Sequence, residues 1–268
     1  MKKFVCLATA SILVLGMVFA FASCGKKDEA KFICGVTEFE PMNYRDNSGN
    51  WIGFDTELAQ LVGKKINMAV DFQEIEWAAK YQELEAGTIS CIWNGFTANA
   101  SEADGTRRGD LVDFSYSYLR NQQCVVIKAE RAGEFANIGA LAGKTAAAES
   151  GSAGESFAQE AVGDNGRVIG SPAQINTFLE VKSGAVDCAV VDILLAQRIA
   201  GSGDYQDLMI ANITLDHEVY AVGFKKGSDL TQKVNNALKE LYDEGKMMEL
   251  AEKYGLEDSL VLDTNFRG

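Results

Sequence analysis

Histidine is nearly absent: His217 is the single imidazole in 268 residues. With no cysteine near it, it argues against a histidine-centred triad and against a metal cluster, and it reads as a surface or loop residue. The six cysteines include no CxxC pair, which argues against zinc or thioredoxin-like chemistry. Cys34, Cys91, Cys124 and Cys188 each sit inside an apolar, strand-like run. They are expected as buried small hydrophobes, with disulfide pairing left open by the spacing. Positive charge is also scarce. Lys+Arg number 25 against 38 Asp+Glu, for a formal net charge of -13. So acidic a body repels nucleic acid and anionic lipid headgroups, but it does not exclude a small anionic ligand, which feels the local site. There is no fixed-period repeat and no low-complexity segment beyond a short tether.

What is present begins with an export pattern. Lys2 and Lys3 supply a positive start, Phe4 to Phe21 an apolar run, and Ala22-Ser23 the small residues ahead of Cys24. The run is about long enough for a membrane span, but the small residues and the cysteine directly after it favour processing. Phe21-Ala22-Ser23-Cys24 resembles a bacterial lipobox, with Phe21 where Leu is usual. Cys24 is then the lipidated first residue of the mature chain. Removing residues 1–23 takes away two lysines and no acid, so the formal charge moves from -13 to -15. Residues 24–30 form a polar tether.

The remaining residues are enough for one large domain or two of ordinary size. Strand-like runs and helical periodicities alternate. Phe32–Val36 is a strand; a helix runs from Phe54 to about Ile66 with Asp55 as its N-cap; Val70–Ile75 is a strand; Ala78–Ala86 is a helix closed by Gly87; Ile89–Trp93 is a strand. A second block repeats the order: strands over 122–128 and 144–148, a helix over 155–162, a strand at 168–169, a helix over 173–183, a strand over 185–191 ending at Asp192, and a helix to about Ala200. An apolar strand over 219–224, a long helix capped by Ser228, and a last helix over 246–254 follow. Two β-α-β-α-β blocks joined by two strand-like connections predict an α/β protein with two lobes and a cleft.

Two loops carry the chemistry. The stretch Cys91–Ser115 opens as an apolar strand, stops at Asn94-Gly95, and passes through a polar loop with adjacent Arg107 and Arg108. Such an edge suits an anion, and an arginine there forks onto a carboxylate. The loop Glu149 to Gly154 ends another apolar run and starts a helix whose free N–H groups face outward.

Together these segments resemble an exported amino-acid-binding protein of an ABC importer, in the polar amino-acid branch of bacterial solute-binding proteins (family 3). The resemblance rests on the order and spacing of Pro41-Met42-Asn43-Tyr44, Gly53 to Ala59 (GFDTELA), Ile75-Glu76-Trp77, Cys91 to Thr97 (CIWNGFT), Val112-Asp113-Phe114-Ser115, Leu141 to Lys144 (LAGK), residues 150–152 and Val186 to Asp192 (VDCAVVD). It implies a type II periplasmic-binding-protein-like fold, with a ligand cleft between lobes joined by two strand-like hinge segments. The division is 31–122 for the first part of lobe 1, 123–220 for lobe 2, and 221–268 for the return to lobe 1. A free amino acid binds between the lobes, and the closed form is presented to a membrane permease. The resemblance also implies roles for residues. Arg108 grips the α-carboxylate and Asp192 takes the α-ammonium; Asn94, Gly95, Thr97 and Ser152 complete the cradle; Phe39 and Trp77 sandwich the side chain. Ala98 to Arg107 is an insertion relative to the family pattern. It carries Glu102 and Asp104 and leaves Arg107 open as the gripping residue. Glu38 and Glu149, if both face the cleft, favour a cationic or strongly polar side chain.

Each residue also has a plainer reading: Asp192 as a helix cap, Trp77 and Phe39 as core aromatics, Ser152 as a turn former. The expectation is a monomeric lipoprotein that binds and does not catalyse, with no cofactor, metal or nucleic acid. Two alternatives stand beside it: a dehydratase-like enzyme on the same scaffold, and a ligand sensor docking onto a signalling receptor.

Overall fold

The computed structural model describes residues 31–266. The expected export signal 1–23, the lipidation site Cys24 and the tether 24–30 lie outside the described residues.

The first block folds as a five-stranded sheet. Phe32–Val36 pairs in parallel with Val70–Glu74 on one side and with Cys91–Ile92 on the other. Gly223–Phe224, from much later in the chain, lies antiparallel to Cys91–Ile92, and Asp113–Phe114 completes the order. Helix Phe54–Ile66 buries Leu58, Ala59 and Val62, the positions its apolar spacing marks. Its N-cap is Gly53, not Asp55. The Asp55 carboxylate is drawn inward instead, where it accepts hydrogen bonds from the Gly95 N–H at 2.8 Å and the Tyr118 hydroxyl at 2.9 Å. The segment expected as one helix over 78–86 starts as a 3-10 turn, Trp77–Ala79, before helix Lys80–Ala86 ends on left-handed Gly87.

The second block forms the other sheet. Thr145–Glu149 is central and parallel to both Arg167–Ser171 and Cys188–Asp192. Helices Ala153–Val162, Gln174–Ser183 and Ile193–Ile199 cover it. Ser152 sits at the N-cap of the first of these, and its hydroxyl accepts from the Glu155 N–H at 3.0 Å.

The two lobes are joined by long neighbouring strands. Ser117–Lys128 spans 12 residues, beginning earlier than the apolar run over 122–128 suggests. Its first part pairs antiparallel with His217–Tyr220, and its second with Cys188–Asp192 and Leu208–Ile210. The strand expected over 219–224 is therefore two strands. His217–Tyr220 belongs to the connection and Gly223–Phe224 to the first sheet, with Ala221 and Val222 turning the chain between them. A short C-terminal strand, Leu260–Asp263, also lies on the start of Ser117–Lys128 and escaped the sequence reading. Helix Leu230–Asp243 buries Val234, Ala237, Leu238 and Leu241 as its periodicity predicts. Asp229 holds its N-cap position, while the Ser228 hydroxyl accepts from the Leu230 N–H at 3.3 Å.

Cys34, Cys91, Cys124 and Cys188 are free and buried, with the Cys34 and Cys91 sulfurs 3.7 Å apart on paired strands. Among the described residues, no helix is long and apolar enough to cross a membrane.

Candidate functional site

A narrow cavity, with room in this closed form for little more than a water molecule, lies between the two sheets. Trp77, Asn94, Gly95, Thr97 and Arg108 line it from the first lobe; Gln123, Glu149, Ser152, Ala153, Gln174 and Asp192 line it from the second. Strand Cys91–Ile92 leads its Asn94-Gly95 turn to this space and strand Cys188–Asp192 ends at it on Asp192, as open parallel sheets generally place their ligands at the carboxyl ends.

The Asn94-Gly95 turn is held rigidly. The Asn94 amide donates to the Thr37 carbonyl at 2.9 Å, and Asp55 accepts from the Gly95 N–H. Gly95 has φ +56, and a Cβ there would lie 2.6 Å from Phe39 Cε1 and 3.0 Å from Tyr220 Cε2. Only glycine satisfies both the conformation and the close approach. Phe39 is accordingly buried behind Gly95, edge-on to Tyr220 with ring centres 6.4 Å apart, and not among the residues lining the cavity. Trp77 does line it, packed edge-on against Phe96 at 5.5 Å.

The two arginines part company. Arg107 is exposed and pairs with Asp110 at 2.7 Å; Arg108 is 1% exposed and reaches the cavity. The insertion before them closes on itself. Ser101 and Arg107 form an antiparallel bridge, the Glu102 N–H donates to the Thr106 carbonyl at 2.8 Å, and the Arg108 N–H returns to the Ala100 carbonyl at 3.2 Å. Arg108 is thereby brought back beside Thr97 despite the added residues. Its Nε donates to Glu102 Oε1 at 2.8 Å, Nη1 to the Thr97 carbonyl at 3.0 Å, and Nη2 to the Gly151 carbonyl across the cleft at 3.3 Å. A guanidinium has five N–H donors, so one remains on each terminal nitrogen, as a bidentate carboxylate requires. Glu102 also accepts from the Tyr81 hydroxyl at 2.6 Å. Asp104, by contrast, turns back on the Thr106 N–H at 2.9 Å.

Across the cleft stand buried acids. Asp192 makes no side-chain cap to the helix that follows it. It accepts from the side-chain nitrogens of Asn121, Gln123 and Gln174 and from the Tyr220 hydroxyl. Burial raises its pKa against the pull of these donors. Glu149 is 3% exposed, and its Oε1 finds no hydrogen-bond partner. Burial, and then the neighbouring Asp192 charge, push its pKa up to about 8. Gln123 Oε1 and Asn121 Oδ1 are likewise sealed without partners. Lys80 is 1% exposed and donates to the Gly151 carbonyl at 2.8 Å; burial and then Arg108 lower its pKa to about 8. Glu38 is turned away. It is exposed, 3.6 Å from Arg45, and lines a separate hollow with Glu40, Tyr44 and Ile175. Among the described residues no three His, Cys, Asp or Glu side chains converge as a metal site.

Sequence reasoning missed Lys80, Gln123, Gln174 and Glu218 here. A signal existed for Gln123: Asn121 and Gln123 alternate at the head of an apolar strand, the period that puts both amides on one face.

A cleft between two α/β lobes on paired hinge strands, one wall holding a buried arginine and the other buried carboxylates, defines a two-lobed binding protein. Residues 32–257 match the bacterial extracellular solute-binding proteins, family 3, and the chain belongs to that family. It is 27% identical to the arginine-binding extracellular protein ArtP of Bacillus subtilis (strain 168), over 95% of this chain and 98% of that protein. It is 30% identical to the probable amino-acid-binding protein YxeM of the same organism, over 97% of this chain and 98% of that protein. Among solved structures, an ancestral arginine-binding protein bound to arginine superposes with a TM-score of 0.76 at 28% identity, over 84% of this chain and 97% of that one.

Proposed function

We propose that the protein captures a free amino acid with a cationic side chain between its lobes and delivers it to the permease of an ABC importer. Arg108 receives the α-carboxylate through its two remaining terminal N–H groups, supported by Asn94, Gly95, Thr97 and Ser152. Asp192 receives the α-ammonium, and Trp77 flanks the side chain. Glu149 receives the distal cation. The observation that carries this reading is the Glu149 carboxylate, buried in the cavity with Oε1 unpartnered. A buried acceptor without a donor is costly, and a ligand ammonium or guanidinium removes that cost. The other orphan atom lining the cavity, Gln123 Oε1, is also an acceptor. A ligand end that only donates suits both. ArtP and the ancestral relative are named for arginine, in keeping with this chemistry.

Because the zwitterion gains both walls only when the cleft is shut, binding favours the closed form. Signal removal at residue 23 and a lipid on Cys24 hold the monomer at the membrane beside its permease. The relatives named above are binding proteins.

The test is a thermal-shift screen of the mature chain, residues 24–268, against free amino acids. A cognate ligand at a hundredfold excess over its Kd stabilises by about 2.7 kcal/mol, which for this size raises Tm by roughly 5–10 °C. L-arginine, L-lysine or L-ornithine is expected to give the largest shift. A largest shift from an acidic or purely apolar amino acid would contradict the cationic assignment.

A further inference from the structure

Glu218 is absent from every expectation above, yet it lies against Asp192. It sits on strand His217–Tyr220, opposite Asn121 of Ser117–Lys128. Its Oε2 accepts from Asn121 Nδ2 at 2.9 Å, Gln123 Nε2 at 3.0 Å and Thr97 Oγ1 at 3.1 Å. The same two amide nitrogens donate to Asp192 Oδ1, Gln123 at 2.9 Å. Two carboxylates, Asp192 buried and Glu218 part-buried, therefore share two donors, and sharing them holds the acids close together.

The pair does not depend on how the lobes are disposed. Asp192 is opposite Gln123 and Glu218 is opposite Asn121, both on the single strand Ser117–Lys128. Only the Thr97 contact comes from the first lobe's binding loop.

The groups that touch this pair are neutral. Asn121 and Gln123 come from Ser117–Lys128, Tyr220 from Glu218's own strand, Gln174 from helix Gln174–Ser183, and Thr97 from the Asn94-Gly95 loop; all are neutral. The next charged group is Glu149, another acid that bears on Asp192. Arg108 shares the cavity with Asp192, but its hydrogen bonds run to Glu102 and to the Thr97 and Gly151 carbonyls, and that of Lys80 to the Gly151 carbonyl, so neither cation touches the pair. Two adjacent carboxylates, one buried and one part-buried, touched only by neutral donors, do not both stay ionised at neutral pH.

We propose that Asp192 and Glu218 share one proton in the ligand-free protein, and that the α-ammonium of the incoming amino acid displaces it, so that binding releases a proton to solvent. The ammonium keeps all of its protons and supplies the missing positive charge; the displaced proton goes to buffer. This rests on the assignment of Asp192 to the α-ammonium. Burial followed by the Asp192 charge pushes the Glu218 pKa up to about 7, which puts the exchange in the physiological range. The bound state favours the deprotonated pair. Affinity therefore rises with pH through the free-state pKa and levels off above it. Thr97 also makes the charge of Glu218 felt at the loop that positions Arg108.

The experiment is titration calorimetry of the mature chain with L-arginine at pH 6.5, in phosphate and in Tris. These buffers differ in ionisation enthalpy, so the heat difference counts protons released. Glu149 can add a proton of its own, so the decisive comparison is wild type against Glu218→Gln: the variant is expected to release about one proton fewer. Equal release by both would overturn the proposal. Carbon-13 NMR of the wild-type carboxyls gives the same answer without relying on a variant. The assigned Glu218 carboxyl, resolved from those of Asp55 and Glu149, should lose its near-neutral titration when L-arginine is added, and a Glu218 titration unmoved by arginine overturns the proposal. If Asp192→Asn binds L-arginine as tightly as wild type, the ammonium assignment itself fails. If that variant loses binding while wild-type binding carries no proton release, only the proton exchange fails.

Discussion

The two walls of the cleft are built on opposite plans. The first lobe offers a cation already provided for: Arg108 is paired to Glu102, to the Thr97 carbonyl and across to Gly151. The second lobe offers buried acids, one of which is only partly provided for. Asp192 is ringed by neutral donors, and Glu149 has an oxygen with no partner at all. A satisfied group positions a ligand without discriminating strongly, because water or protein can stand in for it. An unsatisfied buried group discriminates, because a ligand that fails to pair it leaves the desolvation cost in place. On the proposed assignment Arg108 and Asp192 serve what all amino acids share, and Glu149 on the second wall serves what distinguishes one from another.

Removing the first wall's cation should have the largest effect. Arg108→Ala takes the guanidinium from the part-buried Glu102 and removes the carboxylate grip, so affinity for any amino acid ligand is expected to fall by at least a hundredfold, about 2.7 kcal/mol, by calorimetry. If an amino acid still binds the variant within a fewfold of wild type, Arg108 is not the grip.

The seam between the walls should respond next. Gly151 has φ +75, and an added Cβ would lie 3.1 Å from Ala78 Cα and 3.3 Å from Lys80 Nζ, both on the other lobe. The conformational strain of Gly151→Ala is present whether the cleft is open or shut, but the collision exists only when it is shut. Affinity should drop by roughly tenfold, about 1.4 kcal/mol, beyond any loss of stability in the ligand-free protein. A drop in Tm with unchanged affinity would place the seam outside the closing motion.

The smallest effect lies behind the first wall. Burial raises the Asp55 pKa to about 7, well above the usual carboxylate value. Between about pH 4 and pH 7 the folded protein then binds more protons at this site than the unfolded chain does. Its contribution to stability falls as pH rises through that window and is constant above it. Asp55→Asn should flatten this part of the stability–pH curve, measured by urea unfolding at several pH values. An unaltered slope would remove Asp55 from the account.

Much of the scaffold was legible because it is written in local patterns. The alternation of strand and helix, the helix stop at Gly87 and the apolar face of Leu230–Asp243 are short-range signals, and they located the elements to within a few residues. The Cys91–Ser115 loop stood out for the same reason, since Asn94-Gly95 ends a strand and needs glycine. The choice between Arg107 and Arg108 was not legible. It depends on how the insertion folds back through the Ser101–Arg107 bridge, a contact with no signature in spacing. Asp55 misled because an acid in the first turn of a helix resembles a cap. Only the tertiary fold brings the Gly95 N–H and the Tyr118 hydroxyl to it. Glu218 and Lys80 were invisible for a related reason. Each is a charged residue that would ordinarily lie in solvent, and only strand register or lobe contact buries it.

The contrast between the walls comes down to Glu149, and one measurement addresses it most directly: Kd values for L-arginine and L-glutamine, by calorimetry, in wild type and in Glu149→Gln. The second-wall account predicts that wild type prefers L-arginine and that the substitution reduces this preference by tenfold or more, chiefly by weakening L-arginine. An arginine-to-glutamine ratio unchanged by Glu149→Gln, in a variant that still binds, would contradict it.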